Sequence, residues 1–179
     1  MPYRPAKLAR PFRSNGGQTG QDLRKLEVMS TNTLPAALAE IVDDFQALTE
    51  PDRLQLLLDF SRGLPALPER LLDHPELLEQ VVECQSPLFL TIEQEKKPDG
   101  VAYRLFFKAP PEAPTTRGFA GVLHEGLDGL TAAEILAVPD DMPELLGLTR
   151  AITPLRMRGM TAMLGRIKRK VAAADRLLS

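Results

Sequence analysis

The chain has 179 residues, 44% of them hydrophobic and 26% charged, the make-up of a folded domain with a core of ordinary size. A net charge of −2 excludes the basic footprint of a general nucleic-acid binder, and 5% aromatics without tryptophan argue against stacking platforms for single strands. No apolar run approaches the roughly 20 residues that cross a bilayer, so neither nucleic acid nor membrane is expected as a partner.

Residues 1–30 form a segment of their own. Arg4, Lys7, Arg10, Arg13, Arg24 and Lys25 stand against Asp22 and Glu27, a net of +4. With the polar run Ser14-Asn15-Gly16-Gly17-Gln18, this segment has little to bury and is predicted to be a disordered extension. It also lacks the apolar stretch of a secretory signal. Met29 precedes the first strong helical pattern and is the expected natural start. Residues 31–179 are predicted to form a single domain.

Within it, Leu34, Leu38, Ile41, Val42, Phe45 and Leu48 recur at spacings of three and four, which predicts a helix over 34–48. Thr49 is the expected N-cap of a second helix carrying Leu54, Leu57, Leu58 and Phe60, with Gly63 as its terminator. A proline-rich turn and a short helix at 69–72 follow. Residues 88–92 are apolar and partly β-branched, and residues 103–107 are aromatic and apolar. Turn chemistry fills 95–100 between them, predicting a β-hairpin. After Pro110-Pro111 the chain turns helical again, over 118–127, then from Thr131 with Glu134 in capping-box position, and finally from Thr153-Pro154. Met157, Met160, Leu164, Ile167 and Val171 line one side of the last helix, its methionines read as packing. Arg158, Arg166, Arg169 and Lys170 read as its solvated face. The pattern is α+β: a small antiparallel sheet, made of the hairpin with room for one further strand, packed against several helices.

Cys84 is the sole cysteine. It cannot form an intramolecular disulfide, which fits a reducing, cytoplasmic setting. With only two widely separated histidines, His74 and His124, it makes no zinc pattern and no metal is expected. A lone cysteine is most often a small buried hydrophobe. Here Glu83 and Gln85 flank it and Ser86-Pro87 follow, and proline fits only an edge or the beginning of a strand. Cys84 is therefore predicted on a loop, where functional residues concentrate. The thiolate is the nucleophile; a close Glu83 would raise the thiol pKa, and Arg117 or Arg156 brought nearby would lower it. A Cys84/His124 hydrolase would need hydrogen-bond contact between the two, and no nucleophile elbow or oxyanion signature accompanies them. A structural adaptor with an incidental cysteine is a third reading.

The string Cys84-Gln85-Ser86 before an apolar strand resembles the cysteine motif of the SufE family. Leu58-Asp59-Phe60-Ser61-Arg62-Gly63-Leu64-Pro65 resembles that family's second helix and the turn after it. Arg117-Gly118 resembles the opening of a later helix, and Thr153-Pro154-Leu155-Arg156, then Gly159 and Met163, the start of its last helix. The four segments come in family order and cover residues 34–175. Three positions depart: Glu83 stands where glycine is frequent, Pro87 where a polar residue is common, and Phe89 where tryptophan is frequent.

The resemblance implies a SufE/IscU-like fold and a sulfur carrier rather than a stand-alone enzyme. Cys84 would take persulfide sulfur from a SufS-type cysteine desulfurase, stimulate that enzyme, and pass the sulfur to an Fe–S cluster scaffold. Pyridoxal phosphate belongs to the desulfurase, so no cofactor is expected here. The cysteine would rest in an apolar cavity and emerge on docking, in a monomer or homodimer. Arg156 matches an arginine implied to touch the desulfurase or the cysteine loop, Glu112 an acidic position after the hairpin, and Gln85 and Ser86 would shape the loop by local hydrogen bonds.

Overall fold

A computed structural model describes residues 34–178. The expectations for residues 1–30, disorder and a start at Met29, lie outside the described residues.

Helix α1 (Ala36–Ala47) buries Leu38, Ile41, Val42 and Phe45, the stripe its spacing predicts. Helix α2 (Glu50–Gly63) buries Leu57 and only partly covers Leu54, Leu58 and Phe60. Thr49 does not cap α2 as expected: its hydroxyl donates to the Asp52 carboxylate at 2.7 Å instead of accepting a backbone amide. Helix α3 (Glu69–Leu72) and a 3-10 turn (Pro75–Leu77) lead into strand β1 (Glu79–Gln80).

Strands β2 (Phe89–Lys97) and β3 (Gly100–Lys108) form the predicted hairpin, with longer arms than expected. Glu95, Lys96 and Lys97 belong to the strand and pair with Ala102, Val101 and Gly100. The turn is only Pro98-Asp99, and Gly100 leaves it at φ +139°, a conformation that favours glycine. The charged run reads as a loop because the end of the hairpin projects into solvent, where no face needs apolar residues. Strand β4 (Leu130–Thr131) pairs with β3, and β1 pairs with β2. Among the described residues the sheet is therefore four-stranded, antiparallel throughout, in the order β1-β2-β3-β4.

Helix α4 (Pro114–Leu127) starts earlier than predicted, with Pro114 in its first turn. It runs almost in backbone contact with α2. A Cβ on Gly118 would lie 2.4 Å from the Leu57 carbonyl oxygen, and one on Gly121 2.3 Å from that of Phe60. Arg117 ties the pair together by donating to the carbonyls of Ser61 (2.9 Å), Ala109 (2.9 Å) and Leu64 (3.3 Å). Helix α5 (Ala132–Ala137) opens with the predicted Thr131–Glu134 capping box. A 3-10 segment (Met142–Leu146) then precedes the last helix, α6 (Pro154–Arg176), which Thr153 caps through the Arg156 amide at 3.4 Å.

The core lies between the helices and one sheet face, where Leu90, Tyr103, Leu105 and Phe107 are buried with Phe45, Phe119, Leu123, Met160, Leu164 and Ile167. Helix α6 lies alongside the sheet: Gln94 donates to the Ala174 carbonyl at 3.2 Å and the Tyr103 hydroxyl to Asp175 at 3.3 Å. Met160 and Met163 are core packing, as read from the sequence. No helix among the described residues is long and apolar enough to cross a membrane.

Candidate functional site around Cys84

Cys84 occupies the tip of the connection between β1 and β2. That connection was expected to be a loop before the first strand. It is instead the turn of a small hairpin, because Glu79 and Gln80 pair with Leu90 and Phe89 ahead of it. Two residues without alternation carry no strand signal, so β1 escapes a sequence reading. The Val81 amide donates to the Leu88 carbonyl at 2.9 Å and closes the base of residues 82–87. Val81 and Leu88, both fully buried, anchor that base in the core. The Cys84 amide donates to the Val81 carbonyl at 3.1 Å, a tight turn that points residue 84 back toward the protein.

What it points at is Gly159 of α6. A Cβ at position 159 would stand 3.2 Å from the Cys84 Sγ and 3.6 Å from its Cα. Glycine therefore provides the seat for the thiol, which is half-buried, while Val82 on the same loop is 69% exposed. Desolvation pushes the Cys84 thiol up to about 11, with the Glu83 carboxylate adding to the rise and Arg166 opposing it. The sign left open by the sequence is thus settled toward a protonated thiol.

The nearby cation is not one of those the sequence nominated. Arg117 is committed to carbonyls of the α2–α4 junction. Arg156 has an exposed side chain one turn before Gly159. Arg166, read from sequence as part of a solvated face, has a side chain only 12% exposed. Its guanidinium reaches Glu79 at 2.5 Å and Glu83 at 2.6 Å, and Lys170 reaches Glu79 at 3.0 Å. The bond to Arg166 holds the Glu83 carboxyl below its usual range, and that to Lys170 does the same for Glu79. Position 166 lies two helical turns after Gly159, on the same face, which is the signal that could have found it.

The other nominated residues are distributed as follows. Gln85 is exposed and Ser86 half-buried, and neither side chain forms the expected hydrogen bond among the described residues; backbone bonds and the Glu83–Arg166 pair shape the loop instead. Glu112 sits on the exposed turn between β3 and α4. The pairing of Phe89 with Lys108 brings that turn to the same end of the sheet as the Cys84 loop. His124 is not brought to Cys84. It is half-buried on α4, its ring edge-on to Phe107, its pKa lowered by burial, with Asp128 opposing the shift and Arg104 adding to it. No hydrogen bond joins it to Cys84 among the described residues. No group of three or more His, Cys, Asp and Glu side chains that could hold a metal ion lies among them either.

A family model described as "SufE: Fe-S metabolism associated domain" matches residues 39–171. Two relatives from Mycobacterium tuberculosis strains, each named an uncharacterized SufE-like protein, are 54% identical over 143 residues, 80% of this chain and 96% of theirs. A SufE-like protein of Synechocystis is 32% identical over 74% of this chain and 78% of its own. The solution structure of a hypothetical protein from Thermus thermophilus superposes with a TM-score of 0.67 at 35% identity, covering 82% of this chain and 99% of that one. The matched span includes the hairpin, the Cys84 loop and the α6 seat beneath it, and on that agreement the chain belongs to the SufE family, associated with Fe–S metabolism.

Proposed function

We propose that the chain is a sulfur acceptor whose working atom is the Cys84 Sγ, charged by a cysteine desulfurase of the SufS type that carries its own pyridoxal phosphate. The observation that carries this reading is the placement of the sole thiol at the tip of a hairpin loop resting on α6 rather than inside the helical core. Membership of a family tied to Fe–S metabolism supports it.

The resting chemistry suits a carrier. With a pKa of about 11, only about one thiol in ten thousand is ionised at pH 7. A thiol that is seldom a thiolate resists oxidants and stray disulfides. Uptake requires the loop to move, so that water or a partner's donors can stabilise the thiolate. The Cys84 thiolate then attacks the outer sulfur of the desulfurase persulfide. A bond forms from that sulfur to the Cys84 Sγ, the bond to the desulfurase cysteine breaks, and that cysteine leaves as a thiolate to take up a proton. No net oxidation occurs. The sulfur then passes to an Fe–S scaffold, and removing it frees the desulfurase for another turnover. Arg156, Glu112, Gln85 and Ser86, at the same end of the molecule, border the face on which the desulfurase docks. A reduced lone thiol fits a cytoplasmic carrier.

The test is desulfurase turnover with cysteine as substrate. Wild-type protein accelerates it, and Cys84→Ala gives no acceleration. Equal stimulation by both would remove Cys84 from the reaction.

A further inference from the structure

The Cys84 loop is held by charge as well as by its hydrogen-bonded base. Arg166 Nη2 donates to Glu83, the residue next to Cys84, while Nη1 donates to Glu79 in β1, a strand outside the loop tip. Lys170 adds a second cation on Glu79. The one guanidinium therefore joins loop, strand and helix, in the forked geometry that arginine supplies and lysine does not. Arg166 is itself mostly buried, and its Nε has no hydrogen-bond partner among the described residues. Consecutive Cα atoms are about 3.8 Å apart, so Cys84 cannot travel far from Gly159 while the Glu83 carboxylate stays on Arg166. The Glu83 side chain is 46% exposed, which leaves it within reach of a competing group from outside.

We propose that Arg166 is a positioning residue that latches the Cys84 loop shut through Glu83, and that the thiol becomes available when this pair breaks. The role rests on the reading of Cys84 as the acceptor, but the latch can be tested without any desulfurase.

The measurement is the rate at which Cys84 of the full chain is alkylated by iodoacetamide, a small uncharged reagent. A latch and a simple electrostatic influence on the thiol predict opposite signs at Arg166. Loss of its positive charge alone raises the thiol pKa and slows alkylation. Loss of the latch opens the loop and speeds it. The expected result is acceleration by Arg166→Gln and by Glu83→Gln of about two- to fivefold each, the scale of a partly exposed ion pair. The double variant gains no more than either single one, because the same bond is already broken. Arg166→Lys, which keeps the charge but not the fork, falls between wild type and Arg166→Gln. Local opening exposes little surface, so the gain must not grow in sub-denaturing urea. Slower or unchanged alkylation of Arg166→Gln, opposing effects that cancel in the double variant, or a gain that climbs with urea would each overturn the latch. Desulfurase stimulation lost in Cys84→Ala alongside a failed latch would leave the acceptor reading standing.

Discussion

At the scale of single residues the site is defined by what surrounds one sulfur atom. Desolvation by the loop and α6 outweighs the attraction of Arg166, so the Cys84 thiol sits at about 11 rather than near 9.0. Its reactivity should follow that value. The alkylation rate should rise about tenfold per pH unit from neutrality and still be climbing at about pH 10, where an ordinary thiol has nearly levelled off. A plateau by about pH 9 would contradict the burial of the thiol. In stability terms the sign is fixed by the same shift. A thiol pKa raised on folding favours the folded state below its unfolded value, and that contribution fades as pH climbs through about 11. The cysteine and its loop were legible in the sequence from polar neighbours and Pro87, whereas Arg166 was not. Its charge marks a solvated position in isolation, and only folding brings Glu79 and Glu83 to it from 87 and 83 residues away.

At the scale of elements, close approach of a helix to a second helix and to a loop explains two glycines with different consequences. Alanine is favoured over glycine inside a helix by about 0.5–1 kcal/mol. At Gly121 that gain is overwhelmed, since the added methyl would meet the Phe60 carbonyl at 2.3 Å and backbone cannot step aside. Gly121→Ala should therefore lose about 1–3 kcal/mol in denaturant unfolding. At Gly159 the neighbour is the Cys84 Sγ at 3.2 Å, on a surface loop that can yield. Gly159→Ala should keep its stability within about 1 kcal/mol of wild type and label faster at Cys84. Equal destabilisation of the two variants would mean that the loop is as rigid as α2. The helices themselves were readable because each buries one periodic stripe, such as Leu38, Ile41, Val42 and Phe45. The ends of the hairpin were not, because Glu95, Lys96 and Lys97 pair through backbone while Lys96 and Lys97 are exposed and Glu95 is half-buried beside Lys97 and Arg104.

At the scale of the whole molecule, the topology gathers the working parts at one end. The β1–β2 turn carries Cys84, the β2–β3 register puts the Glu112 turn beside the start of β2, and the first turns of α6 supply Arg156 and Gly159. Helix α6 spans the molecule from that end to the Tyr103–Asp175 contact, so a single rigid element both seats the thiol and braces the sheet. The expected α+β class follows from this sequence because helical periods flank a single block of strand period instead of alternating with it. The four-strand count does not, because β1 and β4 contribute two residues each and are defined by their partners. The central claim is that sulfur arrives on Cys84, and intact mass after incubation with a cysteine desulfurase and cysteine tests it most directly. Wild-type protein should gain the mass of a sulfur atom, reversed by reductant, and Cys84→Ala should gain none; added sulfur on the alanine variant, or none on wild type while the desulfurase turns over, would contradict the account.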